Sequence, residues 1–238
     1  MENPKFAPYF QNCIGVLDSM HIMAIVDKEF ERAYRNRKGF LSQNVFAACK
    51  FDLTFVYVLA GWEGSAHDGK VLNDATTKGF VVPEGKYYLG DARYALSTSV
   101  ITPYRGVCYH LKEWKSGTLC LQNAKELFNL QHLSLRNAIE QIFGVTKNRF
   151  PLLTKMRSCP FPFQCNLIIC ALIIHNFIRL YQQEADIYNV TTENNDNVEP
   201  NDIPLEQSAS QSEAEELRAN MAQRMWEDYL IIVNDNNL

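Results

Sequence analysis

The sequence predicts an α/β protein, a mixed sheet with helices on its faces, and three observations predict it. Residues that favour strands cluster early in the chain, in short runs. A helical stretch over 68–78 separates them from a further short strand at 86–89. Two long helical segments follow, before an acidic, polar stretch and a last helix.

The elements follow in order. Cys13 to Leu17 and Ile22 to Val26 are apolar, strand-like runs, and the spacing predicts two short strands. Val45 to Phe51 and Thr54 to Ala60 are rich in β-formers and aromatics, with Asp52-Leu53 as the turn between them. Asp68 to Lys78 reads as a helix opened by an aspartate N-cap. Lys86 to Leu89 is a short strand ending at Gly90-Asp91. Asn123 to Phe143 is a long helix, capped by Asn123 and closed by Gly144. Phe163 to Tyr181 is an apolar helix. Residues 181–211, dominated by Asn, Asp, Glu, Gln and Ser, read as a flexible linker. Beyond it, Ser212 as N-cap and Glu215 three residues on suggest a capping box. Leu217, Met221, Met225, Trp226 and Leu230 give that last helix an apolar face. The expected organisation is a domain over 1–180, a linker over 181–211 and a helix with tail over 212–238.

Composition narrows the function classes. The net charge of −4 hides an asymmetry: from Tyr181 onward there are 13 acidic and 2 basic residues, leaving 21 basic against 14 acidic in 1–180. A basic body suits a polyanionic partner, and an acidic tail either solubilises the chain or competes for that basic face. The longest apolar run, Leu167 to Ile174, is shorter than a membrane span, and Met1-Glu2-Asn3-Pro4-Lys5 lacks the layout of a secretory signal. An intracellular protein without a membrane partner is therefore expected. Seven cysteines, an odd number with no C-x-x-C pair, point to reduced and mostly buried thiols rather than a disulfide or zinc framework.

Three carboxylates stand out by context. Asp18 follows Ile14-Gly15-Val16-Leu17, and Asp91 follows Tyr87-Tyr88-Leu89-Gly90, so each is expected just past the end of an apolar strand. Open α/β sheets place their sites at such edges. Glu140 lies on the long helix in a polar stripe with His132 and Arg136 at four-residue spacing. Two aspartates and a helix glutamate are hard oxygen donors of the kind that hold Mg²⁺ or Mn²⁺. Turn-forming aspartates and a solvated helix glutamate are the plain structural alternative.

The words around these residues choose between the two. Gly15-Val16-Leu17-Asp18-Ser19-Met20-His21, Tyr34-Arg35-Asn36-Arg37-Lys38-Gly39 with Ser42-Gln43-Asn44-Val45, and Gly61-Trp62-Glu63-Gly64-Ser65-Ala66-His67-Asp68 occur in that order. Leu89-Gly90-Asp91-Ala92-Arg93-Tyr94, Pro103-Tyr104-Arg105-Gly106 with Tyr109-His110-Leu111, and Glu126-Leu127-Phe128-Asn129 follow. Arg136-Asn137-Ala138-Ile139-Glu140, Phe143-Gly144-Val145-Thr146-Lys147-Asn148-Arg149-Phe150 and His175-Asn176-Phe177 complete the series. Together these blocks resemble the Harbinger/PIF-type transposases and their domesticated nuclease relatives, a DDE superfamily endonuclease domain, over about residues 10 to 180.

The resemblance implies an RNase H-like fold and a nuclease that cuts DNA phosphodiester bonds by two-metal hydrolysis. Asp18, Asp91 and Glu140 match the catalytic, metal-binding carboxylates, and Mg²⁺ or Mn²⁺ is the implied cofactor. Asp68 matches a further acidic position, as a metal ligand or as the cap of the helix after it. His21 and His67 become candidates for orienting the carboxylates. Arg35, Arg37, Lys38, Lys147 and Arg149 become candidate DNA contacts. DNA is the implied partner, with a separate DNA-binding protein supplying site recognition and a homo-oligomer as a further expectation. The nucleus is the implied location, with the cytoplasm beside it.

The alternative is a non-catalytic derivative that keeps the fold to bind DNA or protein. Three positions depart from the family pattern: Ser19 and Met20 replace glycine and threonine, and Arg93 replaces the glycine of an Asp-x-Gly-Tyr turn. If that turn needs positive φ, Arg93 is expected to strain it. A phosphate contact is the other role open to Arg93.

Overall fold

A computed structural model of the chain describes residues 8–107, 121–181 and 209–235. Cys108, Cys120, the Tyr109-His110-Leu111 block and all but the ends of the expected linker lie outside the described residues. The fold is mixed α/β, and five strands form one mixed sheet in the order β3-β2-β1-β4-β5. The strands are β1 (Cys13–Met23), β2 (Ser42–Cys49), β3 (Phe55–Glu63), β4 (Tyr87–Leu89) and β5 (Val100–Ile101). The helices are α1 (Glu31–Tyr34), α2 (Asp68–Thr77), α3 (Ala124–Arg149), α4 (Phe161–Tyr181) and α5 (Ala209–Asp235).

The chain divides into two compact units, neither contiguous. One comprises 1–14, 82–136 and 198–238; the other comprises 15–81 and 137–197. Strand β1 and helix α3 each pass from one unit into the other.

The larger unit is an antiparallel meander. β1 pairs with β2 in unbroken register from Val16 opposite Cys49 to Met23 opposite Ser42, and β2 pairs with β3. The expected pair of strands over 13–26 is therefore one strand of 11 residues. Its polar centre, Asp18 to His21, stays in the ladder because Ala47, Phe46, Val45 and Asn44 of β2 face it residue by residue. Cross-strand pairing overrides the low strand preference of aspartate. Asp18 thus sits in mid-strand, not past a strand end.

The β2–β3 turn forms where the sequence places it. Asp52 Oδ1 accepts from both the Thr54 N–H and hydroxyl, and Leu53 takes φ 62°. Phe46, Tyr57 and Phe80 cluster on this unit, with Phe46 and Phe80 edge to face at 5.4 Å. Helix α2 starts with Asp68 as its first residue and His67 as N-cap, which makes no side-chain capping bond. The cap expected of Asp68 is thus replaced by a first-turn carboxylate, a position the helix dipole favours.

Helix α4 runs through Phe161–Tyr181 as expected, two residues longer at its start. By length and composition it is apolar enough to cross a bilayer, with mean hydropathy 1.7, which corrects the expectation of no such stretch. Counting only the uninterrupted run misses it, because the apolar residues around Gln164, Asn166 and His175 keep the average high across an 18-residue window. One face of α4 is tied into the unit: Gln164 bonds both backbone groups of Ile25, and Arg179 donates to the Asp52 carbonyl. Phe163, Ile173, Ile174, Phe177 and Leu180 are exposed on it.

In the smaller unit β4 and β5 pair in parallel, and the Tyr87 N–H bonds the Asn12 carbonyl. Phe10, Tyr104 and His132 each meet the ring of Phe128, Tyr104 edge to face and the other two tilted. Asn123 Oδ1 accepts the Glu126 N–H, so the expected cap of α3 is in place. Gly144 does not end that helix, and its φ is not positive. The helix ends at Arg149 instead, ahead of Pro151, with Phe150 extended as a residue before proline must be.

Helix α5 begins at Ala209, so Ser212 lies inside it rather than at its cap. Its buried residues are Ala214, Met221, Ala222 and Met225, whereas Leu217 and Leu230 are largely exposed. Small alanines, invisible to a search for large apolar residues, set the docking face. Arg218 fixes α5 to the unit by bonding the Thr102 and Pro103 carbonyls and stacking 4.1 Å over the Tyr104 ring.

Among the described cysteines Cys13 and Cys49 are buried, Cys159 and Cys165 half-buried and Cys170 exposed, all as free thiols. Burial pushes the Cys49 thiol well above its ordinary range.

Candidate nuclease site

Asp18 is the sixth residue of β1 and is buried. Its Oδ1 accepts the Ser19 N–H at 2.7 Å. Side chains alternate along a strand, so Asp18 and Met20 share one face of the sheet while Ser19 and His21 share the other. Asn44 lies opposite His21 and therefore belongs to the His21 face.

Asp68 is brought to Asn44. The Asn44 amide donates to Asp68 Oδ1 at 3.1 Å and, more weakly, to the Ala66 carbonyl at 3.4 Å. The structure thus ties Asp68 to Asn44, the residue opposite His21. His21 itself meets the Ser42 hydroxyl through Nδ1 at 3.1 Å, and the Asn36 amide donates to the same hydroxyl. Asn44 is buried and its Oδ1 has no hydrogen-bond partner. The sequence gives it no candidacy, although an amide immediately before the apolar run Val45-Phe46-Ala47-Ala48-Cys49 is the available signal: a buried amide needs a reason.

Asp91 stands where the sequence predicts it, in the other unit, two residues past the end of β4. Its side chain is matched by a cation of the chain. The Arg93 N–H donates to Asp91 Oδ1 at 2.9 Å, and Arg93 Nε donates to Oδ2 at 2.5 Å. The Tyr94 N–H closes the turn on the Asp91 carbonyl, and Arg105 donates to the Ala92 carbonyl. Arg93 has no positive φ, so the strain expected from replacing glycine is absent.

Glu140 is half-buried on α3. The stripe before it is buried rather than solvated: His132 is 1% exposed and Arg136 6%. Burial above all lowers the His132 pKa to about 4, so its imidazole is neutral and Nε2 donates to the Ile101 carbonyl.

The basic candidates divide. Arg35 is exposed and bonds the Gly39 carbonyl and Glu31, and Arg37 and Lys38 are exposed. Lys147 Nζ approaches the His21 carbonyl at 3.4 Å, and its pKa is lowered first by burial and then by the charge of Lys38. Two basic stretches distant in sequence are therefore electrostatic neighbours. Arg149 is half-buried and donates to His175 Nδ1 at 3.1 Å. Both also lie in the last turn of α3, where cations complement the helix dipole.

The donor chemistry of Asp18, Asp91 and Glu140 suits a hard divalent cation. The geometry is less open, because both Asp91 oxygens already meet Arg93. Among the described residues no group of three His, Cys, Asp or Glu side chains is placed to hold a metal ion.

Comparison with known proteins supplies the family. "Putative nuclease HARBI1" of Bos taurus is 27% identical over 140 residues, 58% of this chain and 36% of that protein. Its Homo sapiens counterpart is 26% identical over the same share of each. "Protein ALP1-like" of Arabidopsis thaliana is 24% identical over 230 residues, 87% of this chain and 53% of that protein. The matches thus span about a third to a half of the length of these relatives, which derive from Harbinger transposases. No solved structure matches the chain. Endonucleases of the DDE superfamily generally use divalent metals. That family's pattern matches residues 17–176, two thirds of the chain, and the chain belongs to the DDE superfamily endonucleases, on the Harbinger transposase-derived branch.

Proposed function

We propose that this chain is the catalytic domain of a divalent-metal-dependent DNA endonuclease with an RNase H-like fold. The observation that carries the reading is the family match over 17–176, which takes in Asp18, Asp91 and Glu140 in family order. In this reading those three carboxylates hold Mg²⁺ or Mn²⁺. The metal, when bound, activates a water and stabilises the leaving oxygen of a phosphodiester. The chain's own part is to present the buried Asp18 and Asp91 and the half-buried Glu140, and to hold the DNA backbone. Arg35, Arg37, Lys38, Lys147 and Arg149 serve that contact, and Arg149 also donates to His175. Asp68, hydrogen-bonded to Asn44 through Oδ1, is proposed as a further metal ligand beside them. DNA is the proposed substrate and the nucleus the proposed location. A separate DNA-binding protein supplies sequence recognition, and self-association is a further part of the proposal.

Incubation with supercoiled plasmid and Mg²⁺ or Mn²⁺ tests it, with Asp91→Ala alongside. Nicking by the wild type and at least a hundredfold less by the variant is expected. Equal nicking by both proteins removes Asp91 from the site.

The Arg93–Asp91 pair favours a second reading, a derivative that binds DNA without cutting it. Retained duplex binding with no cleavage under any divalent metal selects this reading.

A further inference from the structure

Asp91 and Arg93 form the most specific polar contact in the candidate site. They are two residues apart, in one unit, and joined by two hydrogen bonds, one of them an ion pair. The contact uses both carboxylate oxygens, Oδ1 for the Arg93 backbone and Oδ2 for its guanidinium. A divalent cation at Asp91 needs one of those oxygens, and the guanidinium charge repels it. The pair is also accessible: the Arg93 side chain is 39% exposed and the Asp91 side chain 13%. An ion pair exposed to that degree contributes little net free energy. It is therefore strong enough to compete with a weak metal ligand and weak enough to open.

We infer that Arg93 is an internal counter-cation for Asp91, which a divalent metal must displace in order to bind there. This inference rests on the nuclease reading. It changes what that reading predicts for this chain: metal affinity at Asp91 is set also by an arginine two residues away, not by the carboxylates alone. Arg93 is a positioning residue in this account and touches no reacting atom. The backbone half of the contact, from the Arg93 N–H, survives any substitution but proline. Truncating the side chain therefore removes the cation while leaving the turn.

The test is Mn²⁺ binding measured by titration calorimetry on the full chain, for the wild type, Arg93→Ala, Asp91→Asn and the double variant, with urea unfolding of each to confirm folding. Arg93→Ala is expected to bind Mn²⁺ roughly two- to fivefold more tightly than the wild type, the fold-change that corresponds to losing an exposed ion pair. In the Asp91→Asn background the same substitution is expected to change nothing, since the competition is for Asp91. Arg93→Lys, which keeps the charge, is expected to restore weak binding. Equal Mn²⁺ affinity in the wild type and Arg93→Ala overturns the role of Arg93 and leaves the nuclease reading standing. Tightening that persists with Asp91→Asn overturns it too, by showing a general charge effect. No Mn²⁺ uptake by any variant at millimolar metal overturns both the inference and the nuclease reading.

Discussion

Asn176 of α4 closes a two-way hydrogen bond with the backbone of Phe55 on β3, accepting its N–H at 2.8 Å and donating to its carbonyl at 2.7 Å. β3 is an edge strand of the sheet, and the amide fills the place of a neighbouring strand there. His175 beside it is equally committed: Nε2 donates to the Leu53 carbonyl at 3.0 Å while Nδ1 accepts from Arg149. The His-Asn pair of the His175-Asn176-Phe177 block is a clamp on the β2–β3 turn and its edge strand.

Replacing Asn176 by alanine therefore strands both backbone groups of Phe55. The expected loss is about 2 kcal/mol, from two half-buried backbone groups without partners. Asn176→Asp is expected to cost at least as much, because a carboxylate accepts from the N–H but cannot donate to the carbonyl. Urea unfolding midpoints measure both, and an alanine variant as stable as wild type removes the clamp.

Gly64 admits no side chain. A Cβ there would lie 2.4 Å from the Tyr34 carbonyl oxygen and 2.5 Å from that of Ser42, and backbone cannot yield as a side-chain tip can. Gly64→Ala is expected to cost about 3 kcal/mol or more, or to yield no folded protein. Gly39→Ala, with nothing within 4 Å but φ of +88°, is expected to show only the milder cost of a left-handed conformation, about 1 kcal/mol. Thermal unfolding of the pair separates crowding from backbone strain.

Acid is expected to weaken the fold through its histidines. The His132 pKa falls to about 4, chiefly by burial, and that of His175 is lowered chiefly by burial, with Arg149 adding to it. In the unfolded chain both take a proton near pH 6.5, so between there and their folded values the unfolded state binds more protons. Stability is thus complete above about pH 6.5 and declines as the pH falls, by about 3 kcal/mol for His132 once pH 4 is reached. His132→Gln, which retains a donor toward Ile101, is expected to flatten that slope in unfolding experiments run from pH 4 to pH 8. An unchanged slope rules out His132 as its source.

Arg218→Ala removes two bonds to backbone carbonyls and the stack on Tyr104. A loss of about 2 to 3 kcal/mol is expected, the scale of charged hydrogen bonds plus a half-buried cation–π contact. Arg218→Lys is expected to recover less than half, since one ammonium cannot serve two carbonyls and a ring face together. Urea unfolding of the three proteins checks the order.

Much of this fold was legible in the sequence where the signal is local. The Asp52-Leu53 turn, the Asn123 cap and the aspartate after β4 depend on neighbours within a few residues, and each stands where the spacing puts it. What was not legible depends on distant partners. The continuity of β1 through Asp18 is imposed by β2 residues some 25 to 30 positions away. The passage of α3 beyond Gly144 reflects glycine tolerated in a packed helix until proline stops it. The site shows the same division. Asp18, Asp91 and Glu140 are readable from motif words, but Asn44 beneath Asp68 and Arg93 on Asp91 are contacts, and a motif word does not state which side chain its letters touch.

The interleaving of the two units sets an order of events during synthesis. The smaller unit takes residues from 1–14, 82–136 and 198–238, so its hydrophobic interior waits for Met221 and Arg218, translated after everything else it needs. The larger unit can be completed earlier, once α4 has left the ribosome. A chain stalled before α5 would thus carry one finished half and one with Tyr87 and Tyr104 uncovered. Chaperone dependence and loss to aggregation should concentrate in that interval, and truncations within α5 should behave as folding mutants rather than as tail deletions.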